Sequence, residues 1–264
     1  MNDTFSTRRL WHLLRGDFIA GYRSLLVISG ALTGIILVAA MIAPANHAFD
    51  ADFHDGPSFH RALFTAALFV WGIIASSRAF RPLHDKNSNE AWLLLPASAL
   101  EKMTARLLAV TVGLVAWLLV LSTVVSVVVE TLNLLFVGKR HAFFDPFDPI
   151  VWERVSLYIV LQSLYFLGGA WFRRAHFVKT TFAITVTAIG LAALAVITAR
   201  IAFDDVPMHV WLHMRNLSYV LTADPYWISG AMDTVLSAIK VLLPLACWCI
   251  AWLRIAETQV SDGV

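Results

Sequence analysis

Three groups of residues have types and spacings that could do chemistry. The segment from His47 to His60 gathers His47, Asp50, Asp52, His54, Asp55 and His60, all side chains able to ligate a divalent metal. Their spacing matches no ligand pattern, so an acidic, solvated loop is expected there and no metal site is assigned. Met208, His209, His213 and Met214 put two histidines at i and i+4, a spacing that could hold a soft metal, although a helix face touching lipid headgroups is the commoner use of such a pattern. Lys240 is the one charge inside the last apolar run, and Glu130 closes an earlier one; Lys240 either snorkels to the outer headgroups or faces a water-accessible route, pairing there with Glu130 or with an anionic group of a substrate. Enzymatic signatures are missing. The chain has no H-E-x-x-H, G-x-S-x-G or G-x-x-x-x-G-K-[ST], and Gly138-Lys139 is followed by Arg140 without an upstream glycine. Catalytic, cofactor-binding and metal-binding residues are therefore all expected to be absent. Cys247 and Cys249 stand two apart, so on a helix they point to different faces and cannot bridge each other.

The elements that must position these residues are membrane helices. Hydrophobic residues make up 59% of 264 positions and charged ones 14%, against roughly 45–50% and about 25% in soluble domains. The fold class predicted is all-α: one polytopic transmembrane domain of six spans, at residues 24–46, 61–79, 99–136, 154–172, 179–200 and 234–254. Residues 5–22 precede them with Leu10, Leu14, Phe18 and Tyr22 at i, i+4 spacing and Arg8, Arg9, His12 and Arg15 on the remaining surface, the pattern of an interfacial amphipathic helix. Ala43-Pro44-Ala45 resembles a signal cleavage site, but the apolar run before it is longer than a signal core, so it is read as a retained first span. Residues 201–232 are too apolar for a free loop and are read as short outer helices between spans five and six. Pro244 cannot donate to the carbonyl of Lys240, which predicts a kink beside that cation in the last span.

Charge sets the orientation. Arg8, Arg9, Arg15, Arg23, Arg78, Arg81, Lys86, Lys102, Arg106, Arg173, Arg174, Lys179 and Arg254 fall on one side, and acids such as Asp50, Asp145, Asp148, Asp204 and Asp224 on the other. By the positive-inside rule both termini are cytoplasmic. The net charge of +2 gives no sign of a nucleic-acid partner.

Residues 80–98 form a polar island on the cytoplasmic side, with Asn87/Glu90 and Ser98/Glu101 each spaced as an N-cap and its N3 partner. A short amphipathic helix carrying Trp92, Leu93, Leu94 and Leu95 should end before Pro96, and a new helix should begin at Ala99. The spans hold almost no ionisable groups, so a pump built this way must take its energy from a partner.

Here the chain resembles the six-helix permease subunit of ABC-2 type transporters. The resemblance rests on Leu83-His84-Asp85-Lys86, Leu93-Leu94-Leu95-Pro96-Ala97-Ser98 and Glu101-Lys102, with weaker likeness at the basic aromatic opening helix and the ending Leu253 to Val260. Ala256 stands there where such proteins usually have a lysine. The resemblance implies a bacterial inner-membrane exporter subunit that is not itself an enzyme, with ATP and Mg held by two copies of a separate ABC ATPase and with a second permease copy, identical or related, as partner. It also implies a coupling interface for the ATPase at Leu83, Asp85, Glu90, Trp92, Leu93, Pro96, Ser98 and Glu101. Readings of another class are an integral-membrane enzyme or scaffold, or an ion- or proton-coupled carrier.

Overall fold

The computed structural model describes residues 5–42, 56–85, 92, 94–137, 143–172, 175–202 and 226–262. Among these the secondary structure is helical throughout: α1 (Thr7–Ile42), α2 (Gly56–Arg78), α3 (Arg81–His84), α4 (Ala99–Leu108), a π-helical turn (Ala109–Gly113), α5 (Leu114–Val137), α6 (Pro149–Trp171), α7 (His176–Ala202) and α8 (Tyr226–Asp262). Among the described residues five stretches are long and apolar enough to cross a membrane: Phe59–His84, Ala99–Leu135, Pro149–Trp171, His176–Thr198 and Thr234–Thr258. The chain is thus an all-helical protein with membrane-spanning character.

Helix boundaries differ from the uncharged runs in an instructive way. The expected interface helix and first span belong to one element, since α1 passes through Arg23-Ser24 without interruption. At 1.5 Å per residue it extends about 54 Å, well beyond a hydrocarbon core of about 30 Å. α6 starts earlier than expected, because the Asp148 carboxylate caps the helix by accepting from the Ile150 amide and Pro149 occupies the first turn. α8 begins at Tyr226 and carries Pro244 inside it. The rest of the expected outer helices, together with His209 and His213, lies outside the described residues, as do His47, Asp50, Asp52, His54 and Asp55.

α6 is the centre of the bundle. It packs against α2, α7 and α8, while α1 lies along α4 and α5. Small residues bring the helices close: Gly169 sits so near α2 that a Cβ there would come within 2.9 Å of the Ser77 carbonyl oxygen, and a Cβ on Gly72 would fall within the Tyr158 ring. Membrane helices associate by such close backbone approach, because lipid offers no hydrophobic drive between them. Tyr158, fully buried, donates its hydroxyl to the Val110 carbonyl oxygen at 2.7 Å. That acceptor lies in the π turn, where the backbone departs from regular α-helical hydrogen bonding. Phe80, Phe166, Val110, Ala251 and Ile255 fill one core cluster, and Phe64, Leu68, Val115, Val151 and Tyr158 a second.

Candidate functional site

The densest polar constellation is at the start of α4. Ser98 is the N-cap of this helix, and both bonds of its capping box are present: the Glu101 amide donates to Ser98 Oγ at 3.2 Å, and the Ser98 amide donates to Glu101 Oε2 at 2.9 Å. Glu101 does more than cap. Its other oxygen, Oε1, accepts from the Ser6 amide at 2.6 Å and from Arg9 Nη2 at 3.0 Å and Nε at 3.2 Å. A fully buried carboxylate therefore pins the beginning of α1 to the beginning of α4. A second ion pair, Arg106 with Asp17 at 3.1 Å, joins the same helices two turns further on. Burial pushes the Asp17 carboxyl above its ordinary range against the opposing pull of Arg106. Trp117 Nε1 donates to Ser29 Oγ at 2.9 Å further along still, so α1 and α4–α5 run side by side in the same direction.

Lys102 fixes the loop before this helix. Its ammonium donates to the Trp92 carbonyl oxygen at 2.9 Å and stands over the Trp92 ring at 4.7 Å from the centroid, a cation–π arrangement strengthened by desolvation. Trp92 is buried with Leu83, Met103 and Phe80 in the first core cluster. Trp92, the start of α1 and the foot of α4 are consequently tied together around the adjacent charges Glu101 and Lys102.

The residues singled out from sequence separate into two sets here. Leu83, Trp92 and Glu101 face inward, and Ser98 is half-buried as the cap. Asp85 and Pro96 are exposed, as are the neighbouring Leu94 and Leu95. Glu90 and Leu93 lie outside the described residues. Sequence reasoning missed Arg9 as the partner of Glu101, and the only signal available was that a basic helix opens the chain.

At the opposite end of the bundle Glu130 is buried and lies 3.0 Å from His60 Nε2, itself buried. The uncharged run stops at Val129, but α5 continues to Val137 and carries Glu130 inside. Beside it Arg61 pairs with Asp148 at 2.8 Å, and Ser126 Oγ accepts from the Phe144 amide at 2.8 Å, tying α2, α5 and the segment before α6 together. Lys240 stands exposed on α8, away from such burial. The pairing expected from sequence, Glu130 with Lys240, is thus not the one present, since Glu130 meets His60. Midway along α6 the Gln162 side chain is fully buried, with neither amide atom hydrogen-bonded among the described residues. No group of three or more potential metal ligands occurs among the described residues.

No family model, curated protein or solved structure matches this chain.

Proposed function

We propose that the chain is the membrane-embedded permease subunit of an ATP-driven ABC-2 type exporter, working with a separate ATPase and a second permease copy. The observation that carries this reading is the Glu101 junction, in which one buried carboxylate ties the opening helix to the foot of a long membrane helix. A load applied to the loop at Leu94, Leu95 and Pro96 would pass through Trp92, Lys102 and Glu101 directly into α4 and α1. Exposed Asp85, Leu94, Leu95 and Pro96 are then the contact face for the ATPase, and Glu101 and Trp92 are positioning residues behind it. In this reading α1 supplies the sixth span, supported by its parallel run along α5 as far as Ser29 and Trp117. The bundle end bearing the junction is cytoplasmic, and Lys240 and Glu130 are route residues in the outer half.

The test is co-expression with a candidate ABC ATPase from the same genome and reconstitution in proteoliposomes. Leu94→Asp should abolish substrate-stimulated ATP hydrolysis and transport while membrane insertion is retained; undiminished stimulation would refute the coupling role.

The buried His60–Glu130 pair supports a second reading, an ion- or proton-coupled carrier, because ionisable pairs inside a membrane bundle are used as relays. ATP-independent, proton-gradient-driven uptake or efflux that disappears in Glu130→Gln would select this alternative.

A further inference from the structure

A cluster of basic groups lies at the bundle end shared by α3 and the turn between α6 and α7, outside the Glu101 junction. His84 and His176 stack with ring centroids 5.2 Å apart and an interplanar angle of 25°, and His84 Nε2 lies 3.2 Å from the Gly169 carbonyl oxygen. Arg81 lies one turn before His84 on α3 and Lys179 one turn after His176 on α7, so the stacked histidines bring four basic residues from two elements to one end of the bundle. Arg81 and Lys179 are exposed, and neither makes an ion pair among the described residues. The adjacent acid, Asp85, has an interaction of its own. Two exposed cations beside a histidine stack are suited to an anion.

Depth and surroundings indicate what kind. The cluster sits where the spans Phe59–His84 and Pro149–Trp171 end and the span His176–Thr198 begins, which is the level of the headgroups. Lys179, Phe182, Val186 and Ile189 follow one another at i, i+3, i+7 and i+10, so they share one face of α7. That face is bare: Phe182 is 71%, Val186 51% and Ile189 64% exposed. A cation at the boundary with an apolar strip running from it into the membrane is complementary to a phosphate with an acyl chain attached, whereas a free phosphate would use only the upper half.

We propose that Arg81, Lys179 and the His84–His176 stack form a binding site for the phosphate of an anionic membrane phospholipid, whose acyl chain lies along Phe182, Val186 and Ile189. The site adjoins Asp85 but does not depend on the ATPase, and it holds whether or not the chain is a transporter subunit.

Native mass spectrometry of the full chain released from detergent, titrated with phosphatidylglycerol or with phosphatidylcholine of identical chains, tests this. The wild type should favour phosphatidylglycerol, and the double variant Arg81→Gln, Lys179→Gln should bind it on the order of 30-fold more weakly, as expected for two lost charges near a membrane surface. The charge-conserving pair Arg81→Lys, Lys179→Arg should keep most of the preference, which separates loss of the site from loss of the fold. Arg154→Gln, at the first turn of α6 and the far end of that helix, should change nothing. Equal preference in wild type and the double glutamine variant would overturn the proposal. Retention of inorganic phosphate with loss of any chain-length dependence would also overturn it, by showing a free-anion site in place of a lipid site.

Discussion

Removing the two partners of the Glu101 ion pair one at a time should have unequal consequences. Glu101 is fully buried, whereas the Arg9 side chain is 40% exposed. In Arg9→Met the carboxylate stays behind without its counter-charge, in a place water does not reach. Leaving such a charge typically costs about 3–5 kcal/mol. Here the Ser6 and Ser98 amides continue to donate to it, which lowers the expected loss to about 2–3 kcal/mol. In Glu101→Gln the charge left behind is the half-solvated Arg9, which can turn into water. The amide oxygen can still accept one of the backbone bonds, so the loss should be about 1 kcal/mol, the size of a cap contribution. Equilibrium unfolding in mixed micelles by titration with a denaturing detergent, read from Trp fluorescence, measures both. Arg9→Met should be the weaker protein, and the double variant should recover part of its loss because the stranded carboxylate has gone. A larger loss in Glu101→Gln than in Arg9→Met would refute the reasoning, since it would mean that the carboxylate is not desolvated in the folded protein.

Two further outcomes can be checked in the same assay. Gly72→Ala should destabilise by about 2 kcal/mol or more, because the new methyl would occupy space held by the Tyr158 ring and overpacking costs on the order of 1–3 kcal/mol; Gly190→Ala, which meets no neighbour, should be neutral or slightly stabilising. Asp17 has a folded-state pKa raised mainly by burial, so the folded protein binds its proton more tightly than the unfolded chain does and stability should fall as pH rises through and above the ordinary carboxylate range. Asp17→Asn should flatten that part of the pH profile, and an unchanged slope would show that Arg106 compensates the burial fully.

Helical class, membrane character and the start of α4 were legible in the sequence. Each depends on local or bulk properties: apolar runs long enough for a bilayer, and a Ser98/Glu101 spacing that places both capping groups within reach three residues apart. The partners of buried charges were not legible in the same way. The span expected over 99–136 already contains Glu130, but nothing in that run shows that His60 from a distant helix receives the buried carboxylate. Glu101 shows the same limit from the other side. Its bond to Ser98 is encoded by spacing, but its bonds to Ser6 and Arg9 join residues 95 and 92 positions apart, and spacing carries no information about such partners. They meet only because α1 lies along α4 in a particular register. The π turn at Ala109–Gly113 belongs to this second class, since Val110 in isolation belongs to an ordinary helical run. Tyr158 donates to its carbonyl from α6 beside Gly72, where the absence of a side chain leaves room for the ring. The sequence by itself determined that the chain is helical and suited to a membrane; the packing of its helices at small residues decided which polar groups are buried, and with whom.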